Sequence, residues 1–143
     1  MNLNEMCLGD IIYINEHVTR VVALNITGFI IGRELPYSNS SNYYEDHISK
    51  LKPVPLTKTI LSKMGWIEEI GSFEIQKLKV KDNLVLEWWP INGEFDINNE
   101  PFPKSILYVH EFQQLMRQMG LDKCIDGLEE VVLDTLIPKS YEN

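Results

Sequence analysis

The residues that invite a chemical reading are a histidine–glutamate helix segment, a row of lysines, two arginines, a tryptophan pair and a tyrosine-rich loop. His110-Glu111-Phe112-Gln113-Gln114 approaches the zinc-protease pattern, in which histidines at i and i+4 hold the metal and the glutamate acts as base. Position i+4 is Gln114, a poor zinc ligand, so a zinc site is rejected and the polar side of this segment reads as a solvated or capping face. His17 falls in a turn and His47 beside a loop, and no serine lies in a nucleophile-elbow context. The glycines are scattered and no phosphate-loop lysine follows them. The expectation is a non-enzymatic protein with no catalytic residues, no metal and no cofactor; a catalytic set assembled only in three dimensions is the remaining route to an enzyme.

Binding chemistry is better represented. Lys77, Lys79 and Lys81 alternate along one strand and are expected to share a face, either as a solvated, edge-protecting row or as a stripe for an anion. Arg20 and Arg33, on neighbouring early strands, could add bidentate phosphate contacts. Trp88 and Trp89 are adjacent on a strand, so one ring can join a core while the other needs a helix, a loop or a partner over it. Tyr37, Tyr43 and Tyr44 sit in a Ser/Asn-rich stretch, a composition that recognition surfaces use. The candidate ligand-binding residues are therefore Tyr37, Tyr43, Tyr44, Trp88, Trp89, Arg20, Arg33, Lys77 and Lys79.

The elements that must position these residues are mostly strands. Asp10 to Ile14, Val18 to Leu24 and Ile26 to Arg33 are β-branched runs at about 8–12-residue spacing, separated by polar turns, which suggests a meander or small barrel. Gly28 and Gly32 mark places where a strongly curved strand could bend. Pro36 to Asp46 reads as a loop, and His47 to Val54 as a strand stopped by Pro53 and Pro55. Thr57 is placed to cap a short helix, Lys58 to Met64, closed by Gly65. Trp66–Ile70, Phe73–Val80 and Leu84–Trp89 read as three further strands, and Ile91 to Pro103 as a long loop.

Tyr108, Val109, Phe112, Leu115, Met116 and Met119 form one apolar stripe at 100° per residue, so an amphipathic helix starting near Leu107 and ending at Gly120 should lie on a sheet. Leu128, Val131, Val132, Thr135 and Leu136 predict a second, acidic helix, packed on the first or offered to a partner. The fold class expected is α+β: a small antiparallel sheet or SH3-like, partly open barrel, with a short middle helix and a C-terminal amphipathic helix packed on it. Residues 1–143 are taken as one domain, β-rich over 8–89, looped over 91–104 and helical over about 107–119 and 127–137.

Composition limits the partners. A formal charge of −8 and 44% hydrophobic residues describe a chain with a sizeable core and an acidic surface that disfavours duplex nucleic acid and anionic membranes. The two cysteines, Cys7 and Cys124, have no metal or redox spacing and are expected as reduced thiols. The first ten residues lack a basic region and an apolar run, and no window approaches the roughly 20 apolar residues of a membrane helix, so a cytoplasmic location is expected.

Two segments, Leu51-Lys52-Pro53-Val54-Pro55-Leu56-Thr57 leading to Gly65-Trp66, and Tyr108-Val109-His110-Glu111-Phe112-Gln113, together resemble a family of small accessory proteins. Its members are encoded by phages, prophages and mobile elements of gut anaerobes. The likeness covers under a third of the chain, is weaker in the first strands, and fails in the tyrosine loop and after Gly120. It implies origin and carries no activity across. Combined with the aromatic and basic candidates, it suggests a binding protein in the host cytoplasm that takes a ligand joining a ring to a phosphate. Such a protein would act as a sponge for a nucleotide immune signal, in an anti-defence role, its pocket completed by a second subunit of a homo-oligomer. The alternative is an inhibitor or adaptor of a host protein, working through the acidic surface and the Leu128–Leu136 helix. A third is a nucleotide-acting enzyme with a dispersed site.

Overall fold

The computed structural model describes residues 5–35 and 42–136. The chain divides into two compact units, Met1–Pro55 with Tyr108–Asn143, and Leu56–Leu107. The fold is α+β, with two antiparallel five-stranded sheets and three helices.

The first unit holds β1 (Ile11–Ile14), β2 (His17–Leu24), β3 (Phe29–Glu34), β4 (Tyr43–His47) and β5 (Lys52–Pro53), in the order β4-β3-β2-β1-β5. β1 and β2 are joined by Asn15 and Glu16, both left-handed at φ +49° and +68°, as a two-residue hairpin of type I′ needs. A bulge between Val21 and Ala23 adds bend to β2. The sheet curls into a half-barrel that draws β1 and β4 toward each other across its concave side. Met6, Ile12, Ile14, Val21, Ile30, Ile48 and Leu51 fill that side, with Tyr44 packed against them. Gly32 is required there: a Cβ would overlap the Thr19 hydroxyl and come within 2.7 Å of Ile14 Cδ1.

Two helices, α2 (Val109–Gln118) and α3 (Leu128–Leu136), belong to the same unit. α2 begins where sequence periodicity puts it; Glu111 Oε1 accepts from the Tyr108 N–H, closing the first turn. Val109, Phe112, Leu115 and Met116 are buried, as the apolar stripe requires, and burial at about 1.5–3 kcal/mol each makes this the unit's main clamp. Its polar side is not the solvated face expected from sequence. His110 and Gln113 are buried, because the helix also covers the free edge of β1, where β5 is too short to reach.

Gln113 acts there as a strand would. Its Oε1 accepts from Ile11 N–H at 2.8 Å and its Nε2 donates to the Gly9 carbonyl at 3.1 Å. Beside it, the fully buried Asp10 carboxylate accepts from Arg117 Nη1 (2.9 Å), Gln114 Nε2 (2.8 Å) and the Cys7 N–H (2.8 Å). The charge is thus paired and its oxygens satisfied, which is the condition for burying a carboxylate. α3 forms over the residues predicted and buries Leu128, Val132 and Leu133.

The second unit holds α1 (Lys58–Lys63), then β6 (Ile67–Ile70), β7 (Glu74–Lys81), β8 (Leu84–Trp88), β9 (Phe95–Ile97) and β10 (Glu100–Pro101), in the order β10-β9-β8-β7-β6. Thr57 Oγ1 accepts from Ile60 N–H and Gly65 sits at φ +96°, so both ends of α1 are as the sequence implies. α1 lies on the face that buries Gln76, Leu86, Trp88 and Phe95, with Ser62 bonded to Gln76 at 3.3 Å.

Four sequence expectations are corrected. The third strand starts at Phe29, after a turn closed by Gly28 N–H on Asn25 O, and β4 already starts at Tyr43 within the expected loop. His47–Val54 is interrupted by a 3-10 turn, Ile48–Lys50, in which the His47 side chain accepts from Ser49 N–H. The expected loop at 91–103 contains β9 and β10, joined by Asn98 and Asn99 at φ +51° and +65°; the paired asparagines are a hairpin signal, not a loop signal. Among the described residues, no helix is long and apolar enough to cross a membrane.

Candidate functional site

Strand register decides which candidate residues meet. In the first unit Arg20 on β2 lies directly opposite Arg33 on β3, and Arg33 directly opposite Tyr43 on β4. These three share one cross-strand row on the convex face of the half-barrel, where opposed Cβ atoms stand about 5 Å apart. Tyr37 lies outside the described residues.

Two guanidinium groups opposite each other repel unless compensated. Arg20 is compensated: its Nη1 lies 3.1 Å from Glu129 Oε1 on α3, with both side chains partly exposed. Arg33 is not in the same position. Its Nε is buried and has no hydrogen-bond partner among the described residues, and the polar cost of such a group is relieved only by an acceptor. The ring beside it, Tyr43, is 60% exposed.

The helices leave this end of the face open. α2 and α3 cover β1 and the near side of β2, burying Ile11 completely. Beyond Arg33 on the same face of β3 come Ile31 and Phe29, about 7 and 13 Å along the strand. Both line an open cleft of about 330 Å³ with Ala23, Leu24, Ile26 and Glu45. Phe29 is held edge-on against His47, ring centroids 5.4 Å apart. The result is an apolar shelf with an arginine at one end whose Nε has no partner among the described residues. A second cleft, about 440 Å³, runs between Arg20, Arg117 and the start of α3; its four carboxylates, from Asp122, Asp126, Glu129 and Glu130, outnumber the two arginines and disfavour an anion there.

Tyr44 points the other way. It stacks on His17 at 4.0 Å and its hydroxyl bonds Glu34 at 3.3 Å, so it belongs to the unit's own packing.

The remaining candidates are in the second unit. Trp88 is buried and donates from Nε1 to the Ile106 carbonyl at 2.8 Å. Trp89 is half-buried on the opposite face. Lys77 and Lys79 share that opposite face, but a bulge at Val80 pairs Lys81 with Leu84 and turns it to the other side, so the expected three-lysine row is two. Each of the two has a carboxylate nearby: Glu69 at 3.5 Å from Lys77, with Glu87 directly across the ladder, and Asp82 at 3.8 Å from Lys79. Trp89 itself lines a cleft of about 370 Å³ with Phe73, Ile91, Asn92 and Glu94. Periodicity gave no warning of Phe73, Ile91 or Glu94, because turns and hairpin loops supply them.

Both thiols are poor nucleophiles. Partial burial and the Asp10 carboxylate push Cys7 up from its ordinary range, with Arg117 opposing, and burial and Asp126 do the same for Cys124. Among the described residues, no group of three or more His, Cys, Asp or Glu side chains is placed to hold a metal ion.

Comparison with protein families, curated proteins and solved structures found no match to this chain.

Proposed function

We propose that this chain is a non-catalytic binding protein for a small ligand that joins a planar ring to a phosphate, and that it serves a phage or mobile element as a sponge for a nucleotide signal of its host. The observation that carries the reading is the Arg20–Arg33–Tyr43 row, with the buried, unpartnered Arg33 Nε at its centre. A phosphate on the Arg33 guanidinium would screen the two guanidinium groups from each other, and a small turn of the side chain that uncovers Nε would let a phosphate oxygen satisfy that nitrogen as well. The ring would lie over Tyr43 or slide toward Ile31 and Phe29, where one or two strand positions separate ring from phosphate. Arg20 contributes a second contact by sharing its Glu129 partner, an exposed pair worth under about 1 kcal/mol and so easily rearranged.

The alternative is a protein-directed inhibitor working through the acidic surface and α3; Leu128, Val132 and Leu133 are already buried, so what α3 offers a partner is mainly its acidic side.

The test is incubation of the purified protein with cyclic mono- and dinucleotides, removal of the protein-bound fraction, and heat release. Recovery of an intact nucleotide, abolished by Arg33→Ala, is the expected result. Recovery of an altered nucleotide would replace the sponge with an enzyme. No depletion of any nucleotide would sink both and leave the inhibitor reading, which pull-down from host lysate tests.

A further inference from the structure

The second unit carries a different kind of cleft. Trp89 follows the last residue of β8, and its backbone closes the β8–β9 connection twice: its N–H donates to Glu94 O at 2.9 Å and its carbonyl accepts from Gly93 N–H at 2.8 Å. Pro90 fixes one dihedral of this short loop. Gly93 fixes another, at φ +74°, and a Cβ there would lie 2.8 Å from the Ile106 carbonyl. Asn92 Oδ1 accepts from Glu94 N–H at 2.9 Å. The loop is therefore bonded at every turn, and it holds Trp89, Ile91 and Glu94 in fixed relation.

Phe73 completes the wall from the β6–β7 turn. It is 58% exposed and Ile91 72% exposed, a concentration of apolar surface at a bonded loop that packing does not require. Of the five lining residues only Glu94 is charged, and it has no ion pair among those found between described residues.

Two aromatic side chains and one carboxylate lining a cleft of about 370 Å³ suit a cation. The quadrupole of an aromatic ring attracts positive charge over its face, tryptophan most strongly. Which cation is decided by hydrogen bonding. Asn92 Oδ1 already accepts one bond, so the Glu94 carboxylate is the main acceptor the side chains offer. A primary ammonium is strongly hydrated and would give up part of that water against Phe73, Trp89 and Ile91 for little in return. A quaternary ammonium brings no N–H donors, and its methyl groups pack on apolar walls.

We propose that the Phe73–Trp89–Ile91–Glu94 cleft binds a small organic cation with a quaternary ammonium head. This site is distinct from the arginine row in residues, unit and ligand charge, and it stands or falls independently of the nucleotide reading.

The experiment titrates the full-length protein with choline and, in parallel, with 3,3-dimethyl-1-butanol, its neutral carbon isostere, following the indole N–H resonances. The expected result is saturable movement of the Trp89 signal while the buried Trp88 signal stays still, with the isostere at least about tenfold weaker because it keeps the shape and loses the charge. Glu94→Gln should weaken choline several-fold and Trp89→Leu should abolish choline binding as followed by choline's own N-methyl resonance, both with unchanged Trp88 and Trp66 signals as the check on folding. Equal binding of choline and the isostere would overturn the proposal in favour of a merely greasy cleft, and so would the absence of saturation at tens of millimolar choline. A Glu94→Gln protein that binds choline as tightly as the parent would also overturn it.

Discussion

The two sheets expose similar ingredients on their open faces, cations beside aromatic rings, and treat them in opposite ways. On the first, Arg20 and Arg33 are forced into register with each other, and among the described residues a carboxylate pairs with Arg20 and none with Arg33. On the second, Lys77 lies between Glu69 and Glu87, and Lys79 lies near Asp82. The aromatic groups follow the same division. Tyr43 stands next to a cation, Arg33, and Trp89 and Phe73 next to an anion, Glu94, neither of which has an ion pair among the described residues. Composition alone cannot separate these cases. What separates them is whether a carboxylate from the ladder, a turn or a helix comes within reach of each cation, since a compensated charge has less left for a ligand.

The largest effect that tests this division concerns the adjacent tryptophans. Trp88→Ala should cost about 3–5 kcal/mol in urea unfolding, as truncation of a buried aromatic does, while Trp89→Ala should cost under about 1 kcal/mol. Equal losses would mean that Trp89 is packing and not surface. Next comes Asp10→Ala, expected to cost about 3 kcal/mol by leaving Arg117 and two partly buried donors without their acceptor; Gln113→Ala should follow at about 1–3 kcal/mol.

Binding variants sharpen the contrast between the faces. Arg33→Ala should weaken nucleotide binding by about ten- to a hundredfold, as loss of a charge-assisted contact does, measured by equilibrium dialysis. Lys77→Ala with Lys79→Ala should change it by less than about twofold. If the lysine pair matters as much as Arg33, the compensation argument is wrong. Glu129→Gln, which frees Arg20, should tighten nucleotide binding by about two- to fivefold. The smallest effect is at Cys7. Because its thiolate is disfavoured, iodoacetamide should react with it more slowly than with free cysteine at pH 8, and the rate should climb as the pH passes upward through its raised pKa.

Much of this fold was legible in the sequence, for local reasons. Thr57 and Gly65 bracket α1 because a cap and a left-handed stop act within one turn, and the α2 stripe follows from a period that a helix cannot avoid. The α3 stripe is equally local. What was not legible depends on partners far along the chain. Gln113 looks like a surface glutamine until its amide is found on Gly9 and Ile11, more than 100 residues away. The same holds for Asp10 with Arg117. Arg20 and Arg33 read as neighbours because strand order in a meander is predictable, but their being directly opposed depends on the bulge between Val21 and Ala23, which shifts the register only beyond that point. The bulge at Val80, which removes Lys81 from the lysine row, left no mark in the strand's alternation.

The Gln113 clamp has a consequence for the order in which the protein can be completed during synthesis. The first unit is split in sequence, its sheet made by residue 53 and its helices only from residue 109, with the whole second unit between. Until α2 emerges, Gly9 O and Ile11 N–H at the edge of β1 have no amide to meet, and Asp10 has no arginine. A nascent chain therefore carries a curled sheet with an open flank for as long as some sixty further residues take to appear, roughly 3–12 s at common elongation rates. That interval is when this edge is most exposed to mispairing, and a chaperone or a slower-aggregating temperature should matter most there.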